Sequence, residues 1–173
     1  MKLVLPTLQY KQQATEYINE FIAHSSQING TGSLDWYLEN STYEEWLQKL
    51  VSYMDIANVP TGKVPGLTYF CVHDGNIVGM VNLRLALNEH LRTEGGHIGY
   101  SVRPTERNKG YATQILQAAL EVYGVLGIHN VIITCDKDNI ASARVIQKCG
   151  GVLEAEFFSK TYGEILQRYV IYN

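Results

Sequence analysis

IGYSVRPTERNKGYATQILQAAL, residues 98–120, is the stretch that decides the reading of this chain. A strand running from about Gly96 ends at Val102, and Pro104 blocks its continuation. Ala112, Ile115, Leu116, Ala119, Leu120 and Tyr123 then recur on one helical face. Between the two lies Arg107-Asn108-Lys109-Gly110-Tyr111-Ala112. A loop that enters a helix presents several backbone N–H groups without partners. Their partial positive charge makes an anion site. Gly110 has no side chain to hold a phosphate away, and Arg107 and Lys109 add charge at the same place. The turn therefore suits a pyrophosphate. The same residues also describe a solvated helix start whose glycine only eases the turn, and taken alone they weigh the two evenly. A Walker loop needs Gly-Lys-Ser/Thr, whereas Lys109 precedes Gly110. No G-x-G-x-x-G follows an early strand.

Upstream of this segment, Lys2 to Leu5 reads as a short strand. Ala14, Tyr17, Ile18, Phe21 and Ile22 give a first amphipathic helix. Gly30, Gly32, Asn29 and Ser33 mark Ser25 to Asn40 as a loop. Ser41 with Glu44 has capping-box spacing before a second helix, whose apolar face is Trp46, Leu47, Leu50, Val51 and Met54. Leu67 to Val72 and Ile77 to Leu87 flank Asp74-Gly75, a hairpin signal. Downstream, Val131 to Thr134 is a short buried strand. Ala141, Val145 and Cys149 mark a helix that Gly150 and Gly151 close. Strands near Val152 to Phe158 and Leu166 to Ile171 end the chain. Strand, two helices, three strands, helix, strand, helix, two strands is a mixed α/β order. A doubly wound fold would not carry three consecutive strands before its first crossover helix.

The 173 residues suit a single domain, 1–173. With 46% hydrophobic and 18% charged residues the chain is globular in composition, not disordered. A net charge of -3 gives no reason to expect nucleic acid, which needs clustered Lys and Arg. Cys71, Cys135 and Cys149 are odd in number and none is paired at C-x-x-C spacing, so neither a disulfide framework nor a metal site is expected. The apolar run Leu3 to Leu5 is too short for a signal peptide core. A cytoplasmic protein with no membrane segment is the expectation.

Val102, Pro104, Arg107, Gly110 and Ala112 resemble the acetyl-CoA signature of the GNAT superfamily, R/Q-x-x-G-x-G/A, in spacing and residue type. Asn139, Ser142, Arg144, Lys148 and Gly150 resemble the family's later motif, N-x-x-A/S-x-x-x-Y-x-K-x-G-F. The element order agrees with the family fold, so the resemblance spans the chain. It comes closest to small bacterial acetyltransferases, with a second motif similar to the Rim-type ribosomal-protein acetyltransferases. Two positions depart from the pattern. Ile146 stands where many members place a Tyr as general acid, and Gly151 where an aromatic is usual. The resemblance implies a central, mostly antiparallel mixed sheet flanked by helices. It also implies acetyl-CoA as co-substrate and direct attack by an amine in a ternary complex. Tyr100, Ser101, Val102, Arg107, Asn108, Lys109, Gly110, Tyr111, Ala112, Thr113, Asn139 and Ser142 fall at its cofactor-binding positions. Within these, Val102 N–H is the implied donor to the thioester oxygen, Asn139 the pantetheine partner and Ser142 the proton donor to the thiolate.

An alkyl amine of pKa about 10.4 is neutral in roughly 1 molecule in 2,500 at pH 7, so a base is needed. The thiol leaves near a pKa of ~8.5, so an acid matters less. His97 is the first candidate base and Glu94 the second. Asp35, Glu39, Glu44, Glu45 and Asp55, among Trp36, Tyr37 and Tyr43, are expected to wall the acceptor side and to favour a cationic amine. The expected partner is a small-molecule amine or a peptide N-terminus, with a homodimer left open. The rival reading is a GNAT-fold module that binds acetyl-CoA as a sensor without turnover.

Overall fold

A computed structural model describes residues 1–173. The chain begins with β1 (Lys2–Val4), followed by α1 (Lys11–Ala23), α2 (Leu34–Asn40) and α3 (Tyr43–Ser52). Three strands come next: β2 (Gly66–His73), β3 (Asn76–Arg84) and β4 (Ile98–Val102). Then follow α4 (Tyr111–Val125), β5 (Asn130–Asp136), α5 (Ile140–Lys148), β6 (Val152–Ser159) and β7 (Glu164–Tyr172). The ladders form two groups, β1-β2-β3-β4 and β5-β7-β6, and every laddered pair is antiparallel. Helix α4 carries the chain across from β4 to β5, the βαβ connection that sets neighbouring strands parallel.

Strand alternation sorts the core into two layers. Cys71, Val81 and Leu83 pack beneath α4 and α5 with Ile115, Leu116, Tyr123 and Ile146. Phe70 and Met80 face the other way, against Tyr17, Phe21 and Trp46 of α1 and α3.

Four local expectations change. The segment Ser25 to Asn40 is not all loop, because Leu34 is fully buried and docks α2 onto its neighbours. Tertiary burial there outweighs the turn composition. The cap of α3 is Thr42, whose side chain accepts from Glu45 N–H, and Ser41 instead pairs with the Glu45 carboxylate. On α1 and α3 the buried stripes are narrower than the pattern suggested. Ile22, Val51 and Met54 are exposed, while Tyr43 and Trp46 fill the interior. On α5 Ala143 and Ile146 are buried in the core, Val145 and Cys149 pack against its edge, and Ala141 borders an open cleft instead.

Candidate active site

The cleft opens where β4 and β5 part, and its volume is about 1120 Å³. The two strands meet only at the base, where His97 N–H donates to Ile132 O at 2.7 Å and His97 Nδ1 accepts from Ile132 N–H at 2.9 Å. Above that junction β4 has no strand partner on its β5 side. Arg103 N–H donates to Val78 O on β3 at 2.9 Å. Alternation therefore turns the N–H groups of Tyr100 and Val102 the opposite way, into the gap. Two backbone donors point where a thioester threaded between the strands would lie.

At one end of the gap, none of the N–H groups from Asn108 to Thr113 has an acceptor in the protein. Asn108 and Gly110 both adopt left-handed backbone, at φ 63° and 83°. This curls the loop so that successive N–H groups converge before α4 begins. A Cβ on Gly110 would meet no protein atom within 4 Å, so the space beside it is free for a ligand. The charged side chains behave differently from expectation. Arg107 folds back to donate to Ser26 Oγ at 2.7 Å and lies over the Phe21 ring, so it braces the α1–α2 loop along the cleft. Lys109 pairs with Glu106 at 2.9 Å and does not line the cleft. The anion character of this end rests on backbone N–H groups together with the charge of Arg107, which lines the cleft and has no carboxylate partner.

Midway, Asn139 caps α5 by accepting from Ser142 N–H at 3.0 Å, which leaves its amide nitrogen for a ligand. Ser142 Oγ lies 3.1 Å from Tyr100 OH. Burial pushes the Tyr100 phenol up to about 12, against the pull of the Ser142 hydrogen bond. Ser101 also lines the cleft, with its hydroxyl engaged by Tyr17 OH and by Asn29 O. Tyr111, Ala112 and Thr113 line it from the first turn of α4. Ile146 is fully buried in the core and points away from the gap. Cys149 is half-buried and burial raises its thiol pKa, so it offers no thiolate.

At the far end the two candidate bases separate. His97 is outside the cleft lining, packs edge-on to Tyr123 and spends Nδ1 on Ile132. Burial lowers its pKa. It pins the strand junction and cannot reach an amine in the gap, which corrects the first expectation. Glu94 lines the cleft, and its Oε2 is buried without a hydrogen bond. The loop around it is fixed from both sides. Thr134 Oγ1 donates to Glu94 O at 2.7 Å, and Arg84 Nη1 donates to Gly95 O and Gly96 O.

The expected acidic wall is also corrected. Asp35, Glu39, Glu44, Glu45 and Asp55 are absent from the cleft lining. Glu44 pairs with Lys11, Asp35 accepts from Thr31, Glu45 from Ser41, and Asp55 caps a short turn. Sequence reasoning missed Arg84, Asp136, Tyr162 and Glu164, which do line the cleft. Arg84 left a signal, the lone charge in β3, placed at its end. The loop carrying Asn29 is seated by Gly30, whose φ is 74° and where a Cβ would fall 2.3 Å from Gly99 O.

The family described as the acetyltransferase (GNAT) domain matches residues 9–152, and the chain belongs to that family. A curated relative, the uncharacterized N-acetyltransferase YnaD of Bacillus subtilis, is 45% identical over 65 residues, covering 36% of this chain and 37% of that protein's length. Among solved structures, the ribosomal-protein-S5-alanine acetyltransferase of Vibrio fischeri superposes with a TM-score of 0.73 at 18% identity, covering 99% of this chain and 92% of the other. The microcin C7 self-immunity acetyltransferase MccE, in complex with acetyl-CoA and AMP, gives 0.68 at 21% identity, covering 99% and 91%. At these identities the structural likeness speaks for the shared fold.

Proposed function

We propose that this protein transfers the acetyl group of acetyl-CoA to a primary amine by direct attack in a ternary complex. The observation that carries the reading is the run of unpartnered N–H groups from Asn108 to Thr113 at the mouth of an unladdered strand gap. Such a run, at a helix start, suits the pyrophosphate of the cofactor. The gap accommodates the pantetheine arm, with Asn139 beside it. The N–H of Val102, seconded by that of Tyr100, donates to the thioester oxygen as charge builds there. Donors of this kind contribute about 3 kcal/mol.

Glu94 takes the proton from the acceptor ammonium. The neutral nitrogen attacks the thioester carbon, the new C–N bond forms and the C–S bond breaks. The thiolate takes a proton from Ser142, the nitrogen sheds its second proton to solvent in the open cleft as it becomes an amide, and Ser142 is reprotonated from there through the Tyr100 hydroxyl. The acceptor is a small-molecule amine or a peptide N-terminus, and the N-terminal serine of ribosomal protein L7/L12 is the acceptor named for one structural neighbour.

The test measures acetyl-CoA binding by calorimetry, with ATP as competitor, and CoA thiol release with polyamines, aminoglycosides, amino acids and short peptides. Binding of acetyl-CoA with turnover of one acceptor class supports the reading. Tight binding without thiol release across the panel favours a sensor module.

A further inference from the structure

The far end of the cleft holds an unmatched charge. Arg84 closes β3 on the sheet face it shares with Met80 and Asn82, under α1 to α3. Its Nη1 donates to Gly95 O at 2.7 Å and to Gly96 O at 3.0 Å. A guanidinium has five N–H donors. Those on Nε and Nη2 have no acceptor in the protein. No carboxylate forms an ion pair with Arg84, although Glu94 is carried on the loop that Arg84 holds. Nη2 lies beside Gly99 in the strand that walls the gap: a Cβ built there would stand 3.5 Å away.

Burial disfavours the charge on Arg84 and lowers its pKa. A partly buried guanidinium with free donors at a cleft wall gains from an anion that meets it there. The planar fork of Arg fits a carboxylate through two parallel hydrogen bonds. Glu94 supplies the opposite charge on the loop that Arg84 holds; its Oε2 makes no hydrogen bond and has His90 Nδ1 3.7 Å away as its nearest cationic neighbour. One cation seat and one anion seat thus lie together at the acceptor end.

We propose that the acceptor is an amino acid in its chemistry: its carboxylate sits on Nε and Nη2 of Arg84 while its ammonium faces Glu94. The proposal rests on the acetyl-transfer reading and narrows it. It replaces a purely cationic amine with a zwitterion, because the acidic wall that favoured a polycation lies outside the cleft.

The experiment compares amino acids with their carboxamides and with the corresponding decarboxylated amines. It reads thiol release with acetyl-CoA, and binding to the CoA-loaded protein by calorimetry. Carboxylates should exceed carboxamides at least tenfold in kcat/KM or in affinity, about the value of one charge-assisted hydrogen bond. Arg84→Met should erase that preference, and Arg84→Lys, which keeps the charge without the fork, should retain part of it. Acetyl-CoA affinity reports whether each variant is folded, and if neither folds the wild-type comparison decides. Equal handling of carboxamides and carboxylates, or no binding by any carboxylate, overturns the proposal while acetyl transfer to another amine stands. Failure to bind acetyl-CoA overturns the acetyltransferase reading instead.

Discussion

His97 Nδ1 accepts the backbone N–H of Ile132 at 2.9 Å, across the point where β4 and β5 begin to part. The paired bond from His97 N–H to Ile132 O makes this residue a two-point clasp between the two strand groups. An imidazole fits here because its Nδ1 reaches the neighbouring strand while its ring fills the space beside Tyr123.

The clasp is pH-sensitive, with a definite sign. Nδ1 can accept only when it carries no proton, and burial holds the His97 pKa below its ordinary value near 6.5. As pH falls below about 6.5, the unfolded chain takes up a proton that the folded chain refuses, so stability drops until the folded pKa is passed. His97→Asn keeps an acceptor oxygen near the Nδ1 position but does not titrate. Urea midpoints at pH 7.5 and 5.5 should fall further for the wild type than for this variant. His97→Ala should lose about 2 kcal/mol at pH 7.5, because Ile132 N–H is left without a partner, and less at pH 5.5, where the wild-type clasp is itself weakened. A pH response identical in wild type and His97→Asn would remove the titrating clasp.

Gly110 is argued from shape and sign. Its left-handed backbone disfavours any side chain by about 1–2 kcal/mol, yet a Cβ there touches no protein atom. Gly110→Ala reports the strain alone. Gly110→Glu adds bulk and negative charge where the cofactor phosphates are proposed to sit. Acetyl-CoA affinity should fall at least tenfold further in the Glu variant than in the Ala variant, about 1.4 kcal/mol by calorimetry. Equal affinities in the two folded variants would place the pyrophosphate elsewhere.

The order of strands and helices was legible because periodicity changes sharply at Leu67 and again at Tyr111. Helix α2 was not, since seven residues behind two glycines hold a helix only through the burial of Leu34. The backbone half of the phosphate loop could be read from Pro104 and Gly110. The side-chain half could be read only in part, because Arg107 lines the cleft while braced by the distant Ser26, and Lys109 is claimed by Glu106. Intrinsic pKa ranked His97 ahead of Glu94 as base, and only the loop geometry shows that His97 turns inward while Glu94 lines the gap. The two departures from the second motif turn out to be neighbours. A Cβ on Gly151 would fall 2.4 Å from Ile146 Cγ2, so no aromatic fits at 151 while Ile146 fills the core.

With no Tyr at position 146, proton return to the thiolate is assigned to Ser142 and Tyr100, whose hydroxyls lie 3.1 Å apart. Tyr100 keeps its proton across the working pH range because burial pushes its pKa up to about 12. The thiol is a good leaving group by itself, so the contribution is small. Ser142→Ala and Tyr100→Phe should each lower kcat by less than about tenfold, with KM for acetyl-CoA little changed. The double variant should cost no more than the larger single one if the two hydroxyls act as one unit. Fully multiplicative losses in steady-state kinetics would separate their roles.

Glu94 carries the strongest kinetic prediction. It lines the cleft, its Oε2 makes no hydrogen bond and lies 3.7 Å from His90 Nδ1, and Thr134 and Arg84 fix the loop on either side. A carboxylate held this way can take a proton from an ammonium that arrives in the gap. General-base catalysis contributes roughly 10²–10⁴-fold. Glu94→Gln preserves shape and removes the base, so kcat should fall about a hundredfold or more while acetyl-CoA affinity is unchanged. Activity should recover toward high pH, where more of the amine is already neutral, so the acidic limb of the kcat/KM profile should move up toward the pKa of the acceptor amine. His97→Asn should leave that limb in place, since its imidazole does not face the gap. A profile that moves with His97→Asn and not with Glu94→Gln would reverse the assignment and return the proton to the strand junction.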